Sequence, residues 1–85
     1  MNWQVILTKQ AVKDAKKIAA SGLKENAQKL IDTLGCNPYK PPYEKLIGNL
    51  QGYYSRRINI QHRLVYEINE EKRTIKILKM WTHYE

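Results

Sequence analysis

Few side chains in this sequence combine the type and the isolation that chemistry requires. Glu44 is the only acidic residue between Asp32 and Glu67, and it stands in a proline-rich stretch beside Lys40 and Lys45. Positive charge nearby keeps such a carboxylate ionised and able to accept a proton. The alternative for it is a surface salt bridge. Arg57 and Arg63 fall on the polar phase of two alternating runs, and His83 and Tyr84 lie close to position 85. A base, a positive charge and an acid are what cleavage of an RNA phosphodiester asks of a protein, because the 2′-hydroxyl is already the nucleophile. The base takes the hydroxyl proton, the charge meets the developing phosphorane, and the acid protonates the departing 5′-oxygen. Glu44, Arg63 and His83 can fill these roles in that order. An arginine fork matches phosphate oxygens better than a lysine ammonium does. Trp81 and the tyrosines can stack on bases splayed from a single strand. Each assignment has a plainer counterpart: a solvated histidine, or an arginine on an exposed strand face.

Other chemistries lack their residues. There is no glycine-rich phosphate loop, and the two histidines and one cysteine hold no metal-ligand spacing. No metal and no cofactor is therefore expected. Cys36 has no partner for a disulfide, no apolar run approaches the length of a membrane span, and the first residues do not read as a signal peptide. The expectation is a cytoplasmic protein without membrane contact. The 85 residues suit one domain, 1–85, and 42% hydrophobic against 27% charged residues is ordinary globular composition. The net charge of +7 points to a polyanion or an acidic protein partner.

The elements that must position these groups follow from periodicity. Trp3, Val5 and Leu7 alternate with Asn2, Gln4 and Ile6 as a first strand. Thr8 offers an N-cap to a helix of about residues 9–21, whose apolar stripe is Ala11, Val12, Ala15, Ile18 and Ala19. Its other face carries Lys9, Lys13, Lys16 and Lys17. Gly22 should stop it. A second helix is predicted over roughly 23–34, with Leu23, Ala27, Leu30, Ile31 and Leu34 on one side and Gly35 at its end. Pro38, Pro41 and Pro42 make the segment 36–52 an irregular connector, with Leu46 and Leu50 as anchors into the core.

A hairpin of residues 53–69 follows. Tyr54, Ile58 and Ile60 in its first arm and Leu64, Tyr66 and Ile68 in its second define an apolar face, leaving Arg57 and Arg63 on the other. In the last strand, from Thr74, Ile75 and Ile77 are apolar on one phase and Leu78 and Met80 on the other. Such a phase change predicts a bulge, with Met80 in the core and Lys79, Trp81 and His83 turned to the arginine face. The fold class is α+β: an N-terminal strand and a two-helix hairpin packed on one face of a mostly antiparallel twisted sheet.

The segments Tyr43-Glu44-Lys45-Leu46, Asn49 to Ile58, His62-Arg63-Leu64-Val65-Tyr66 and His83-Tyr84 resemble the YoeB (Txe/YoeB) toxins of the RelE superfamily, in that family's order and spacing. The resemblance runs through the whole chain and is densest from 44 to 84. It implies a RelE-like microbial ribonuclease fold and a ribosome-dependent, metal-independent endoribonuclease that cleaves mRNA in the A site of the 70S ribosome. By that pattern Glu44 matches the general base, Arg63 the transition-state arginine, His83 the general acid, Tyr84 a positioning tyrosine and Arg57 a phosphate contact. Arg56 and Lys45 join Arg57 as RNA-binding candidates. Lys9, Lys13, Lys16 and Lys17 are candidates for rRNA contact. A YefM-like antitoxin is the implied protein partner, and a homodimer is a further expectation. Two departures bear on rate: Ile47 stands where many relatives carry a basic residue, so that charge is either missing or supplied from elsewhere, with Lys45 the candidate, and Glu85 adds a carboxylate beyond the family's usual terminal tyrosine. The competing reading is a non-catalytic basic module that represses transcription with an antitoxin. A metal-dependent nuclease is disfavoured by the lack of clustered carboxylates.

Overall fold

The computed structural model describes residues 2–48 and 52–81. The expected positions Leu50, His83 and Tyr84 lie outside them. Strand β1 (Gln4–Leu7) leads into helix α1 (Lys9–Ala20) and helix α2 (Lys24–Cys36). A proline-rich connector then reaches β2 (Glu44–Lys45), followed by β3 (Tyr54–Arg57), β4 (Arg63–Asn69) and β5 (Thr74–Lys79). The five strands form one sheet in the order β1-β5-β4-β3-β2, with β1 parallel to β5 and the other neighbours antiparallel. The predicted class holds: two helices against a mixed, mostly antiparallel sheet.

Local chemistry accounts for the element ends. Thr8 caps α1, its Oγ1 accepting from the Ala11 N–H at 3.1 Å and donating to the Leu78 carbonyl at 2.9 Å. One hydroxyl thus satisfies a free helix donor and ties α1 to β5. Gly22 ends the helix at φ 77°, a left-handed conformation that glycine adopts without strain. The second helix runs past its predicted end: Gly35 lies inside it and is buried, and its carbonyl accepts from the Trp3 N–H at 3.1 Å. A glycine that ends a helix by type alone is here kept helical by its packing against the chain's first strand.

The core lies between helices and sheet. Ala11, Ile18, Ala27 and Leu34 meet Trp3, Leu64, Tyr66, Ile75, Ile77 and Met80, all buried. The predicted bulge is present. Val65 pairs with Lys79 while Tyr66 pairs with Ile77, leaving Leu78 as the extra residue on β5. That additional residue restores Met80 to the core side, where it is completely buried.

Three expectations about sidedness need correction. Ile60 is not a core residue but 91% exposed. It lies in the turn between β3 and β4, where Asn59 Oδ1 accepts from the Gln61 and His62 N–H groups at 2.9 and 2.7 Å, so strand alternation has already ended. Leu46 is buried, but like Val65 it is not part of the main cluster. Strand parity puts both on the sheet face away from the helices, so that face is partly covered rather than uniformly open. The third is Arg56, which parity places with Tyr54 and Ile58; it is buried, not displayed.

Candidate active site

The site rests on three adjacent strands. Ser55 pairs with Glu44 on one side and with Val65 on the other, and Arg57 pairs with Arg63. Side chains two apart on a strand share a face, so Glu44, Ser55, Arg57, Arg63 and Val65 all point away from the helices. On that face Arg63 Nη1 donates to Glu44 Oε1 at 3.0 Å. The carboxylate side chain is 61% exposed and the arginine only 17%. The arginine is therefore held by its surroundings and the carboxylate remains accessible. The two groups singled out from sequence, nineteen positions apart, are in direct contact.

Electrostatics make this corner unusual. Directly opposed like charges destabilise a strand pair, yet Arg57 and Arg63 are opposed. Among the described residues, Glu44 is the carboxylate in contact with Arg63. Guanidinium forks of this kind can bind a phosphate bidentately. Arg57 is exposed and can reach such a ligand. A groove of about 470 Å³ runs from this corner between the connector and α2, bordered by Leu30, Thr33, Pro42, Tyr43, Glu44 and Arg57 among others.

The remaining candidates separate. Lys45 is exposed but pairs with Tyr54, so alternation turns it to the opposite face from Glu44. The positive charge beside Glu44 comes from Arg63, not from Lys45. Ile47 is 86% exposed. Lys9, Lys13, Lys16 and Lys17 line the solvent side of α1, and since α1 covers the core face of the sheet, they sit across the molecule from Glu44. Trp81 is stacked on His62, with ring centroids 3.9 Å apart and planes at 20°, so an internal partner occupies the ring expected to meet a base. Tyr54 likewise stacks on Tyr66, with centroids at 5.7 Å, and Tyr43 meets Tyr54 edge-on at 5.7 Å.

Arg56 is corrected from an RNA contact to an internal brace. Its Nε donates to the Tyr66 hydroxyl at 3.0 Å, Nη1 to the Pro42 carbonyl at 3.2 Å and Nη2 to the Pro38 carbonyl at 2.8 Å. Burial pushes the Tyr66 hydroxyl pKa up, with the Arg56 charge pulling the other way. The sequence signal was available, since Tyr54, Arg56 and Ile58 share one phase.

Asp14 is a residue that sequence reasoning passes over. It is 2% exposed, and its Oδ2 accepts from the Met80 N–H at 3.1 Å while Oδ1 accepts from Gln10 Nε2 at 2.8 Å. An aspartate on the apolar stripe of a helix, between Ala11 and Ala15, is the available clue. It satisfies a backbone donor where the bulge ends ladder pairing. Among the described residues, no group of three or more histidine, cysteine, aspartate or glutamate side chains could hold a metal ion. No described helix is long and apolar enough to cross a membrane.

Comparison with known proteins agrees with this geometry. A family model described as "YoeB-like toxin of bacterial type II toxin-antitoxin system" matches residues 8–84. Toxin YoeB of Synechocystis is 43% identical over 60 residues, spanning 66% of this chain and 65% of that protein. Toxin YoeB of Mycobacterium bovis is 49% identical over 41 residues, covering 48% of this chain and 46% of that protein. The alignments thus span under two thirds of these curated relatives. Solved structures align over more of their length. A YoeB/ParE toxin from Agrobacterium tumefaciens superposes with TM-score 0.85 at 25% identity, covering 95% of this chain and 99% of that one. The YoeB–YefM complex from Staphylococcus aureus gives TM-score 0.79 at 32% identity, covering 99% of this chain and 100% of that one.

Proposed function

Because the chain belongs to the family of YoeB-like toxins of bacterial type II toxin–antitoxin systems, we propose that it is a ribosome-dependent endoribonuclease whose partner in the resting cell is a YefM-like antitoxin. The observation that carries the catalytic part is the contact between Glu44 and Arg63. A carboxylate that abstracts the 2′-hydroxyl proton and a guanidinium that meets the phosphorane must both lie within bonding reach of one phosphodiester. Two side chains 3.0 Å apart on one sheet face meet that condition. Arg57, opposed to Arg63, adds a second phosphate contact. His83 is proposed as the acid for the 5′-oxygen and Tyr84 as its positioning neighbour.

The exposed lysines of α1 fit a second role. Phosphate attraction independent of sequence is what docking into the A site of the 70S ribosome requires. Lying opposite the Glu44 face, they can touch rRNA while that face meets the message. The complex of the Staphylococcus aureus relative with YefM supports the antitoxin assignment, and a YoeB dimer from the same organism supports self-association as an additional state.

The test is cleavage of mRNA on programmed ribosomes by the purified protein, with Glu44→Ala, Arg63→Ala and His83→Ala beside it. Removing a general acid or base costs about 10²–10⁴-fold in rate. Because the Glu44 carboxylate is largely exposed, its removal should change folding stability by less than about 1 kcal/mol. Full activity in all three variants, or none in the wild type, overturns the reading. Wild-type repression of an antitoxin operator without cleavage would instead mark a non-catalytic co-repressor.

A further inference from the structure

Strand β2 presents Glu44, yet it is two residues long and has register pairs only to β3. So short an edge strand cannot hold a catalytic carboxylate by its own ladder. Besides the Arg63 contact, support for it comes from the connector that precedes it, and this connector converges on one side chain. Arg56 is 3% exposed. Its guanidinium receives no carboxylate among the described residues; instead it donates to the carbonyls of Pro38 and Pro42 at 2.8 and 3.2 Å. Its third bond, to the Tyr66 hydroxyl, anchors it to a residue with no exposed surface. The charge also lies 5.5 Å from the Tyr43 ring centroid and 5.9 Å from that of Tyr66, within cation–π range.

Burying a cation against neutral partners is expensive unless its donors are satisfied. Here the satisfied donors are spent on backbone carbonyls of an irregular segment that has no ladder of its own. Pro42 and Tyr43 are the two residues immediately before Glu44. A rigid path therefore runs from Tyr66 in the core through Arg56 to Pro42 and Tyr43, and from there to the Glu44 carboxylate against Arg63. We propose that Arg56 is a positioning residue for catalysis: it acts through the connector to set the place of Glu44, and touches no substrate. Arg56 and Arg57 are neighbours of the same type with opposite assignments, one bracing the site from beneath and one facing the phosphate.

This inference rests on the catalytic reading of Glu44, and its test has an arm that does not. Amide hydrogen exchange is measured for the wild type, Arg56→Lys, Arg56→Gln and Tyr66→Phe. The last removes only the hydroxyl that accepts from Nε and keeps the fold if the arginine variants do not. Exchange at the Leu46 N–H, which donates to the Tyr53 carbonyl at 2.9 Å, should rise by at least about tenfold in Arg56→Gln while β4 and β5 amides stay protected. Arg56→Lys and Tyr66→Phe should fall between. On saturating programmed ribosomes the single-turnover rate of Arg56→Gln should drop by about a hundredfold, as expected of a misplaced catalytic group, with unchanged KM and partial recovery in Arg56→Lys. Equal loss of protection across all strands would make Arg56 merely structural and overturn the proposal. So would unchanged exchange and rate. Local loosening at Leu46 in a protein whose wild type does not cleave would retain the brace and reject the catalytic reading.

Discussion

At the scale of single residues, the buried polar groups say more than the exposed ones. Asp14 lies on the core stripe of α1 and supplies the acceptor for the Met80 N–H. Asp14→Ala leaves that donor buried and unpaired, which costs about 1–3 kcal/mol; denaturant unfolding should read a destabilisation of that size. Because residue 80 leads directly to His83, cleavage should fall as well, whereas an exposed change such as Ile60→Ala should alter neither. Tyr39 offers a test by pH. Its hydroxyl donates a hydrogen bond to Glu70, and that bond, aided by burial and the Glu70 charge, pushes its pKa from 10.0 up to about 12. A folded-state pKa above the unfolded one means that the native state holds the proton longer, so the contribution is complete below pH 10 and disappears as pH rises to about 12. Across that window the melting temperature of the wild type should fall more steeply than that of Tyr39→Phe. Parallel curves would show that the Tyr39–Glu70 pair contributes nothing.

At the scale of elements, the decisive feature is the bulge in β5. Leu78 is the one residue by which the ladder between β4 and β5 shifts, and Thr8 and Asp14 of the α1 region hold it on both sides, through the Leu78 carbonyl and the Met80 N–H. Inserting one alanine after Leu78 would add a second extra residue and turn everything beyond it to the opposite face. Met80 would leave the core, and the chain leading to the proposed acid His83 would set out from the wrong face. The expected destabilisation is about 2–5 kcal/mol, the cost of emptying a buried methionine site, and cleavage should cease. An insertion variant with wild-type melting and activity would show that the bulge does not aim the residues beyond it.

At the scale of the whole molecule, charge and topology divide the surface in two. The sheet order places short β2 at one edge, next to β3 and β4, and this gathers Glu44, Arg57 and Arg63 at one corner. The helices cover the opposite face and carry Lys9, Lys13, Lys16 and Lys17 outward. Four of the positive charges that make up the net +7 thus lie away from that corner, where the proposed docking would use them. Replacing the four lysines with alanine should weaken ribosome association and flatten its dependence on salt, by about 0.7–0.9 in logarithmic slope for each phosphate no longer neutralised. Folding stability should stay within about 0.5 kcal/mol, as for other exposed changes. An unchanged salt slope would remove the helix from the interface.

How much of this was legible in the sequence depends on how local the cause is. The Thr8 cap, the Gly22 stop, the hairpin arms and the bulge near Leu78 are written in neighbouring residues, because caps, left-handed turns and strand phase act over one to four positions. The identity of Glu44, Arg57 and Arg63 as candidates was legible too, from residue type, isolation and family motif. Three things were decided only in the folded chain. Gly35 became helical because the first strand docks on its carbonyl. Arg56 went inside because the proline connector, eighteen and fourteen positions upstream, brought two carbonyls to its guanidinium. And Glu44 met Arg63 because β3 separates their strands by a fixed register. Strand phase names the face a side chain prefers; only the pairing of distant strands decides what it touches there.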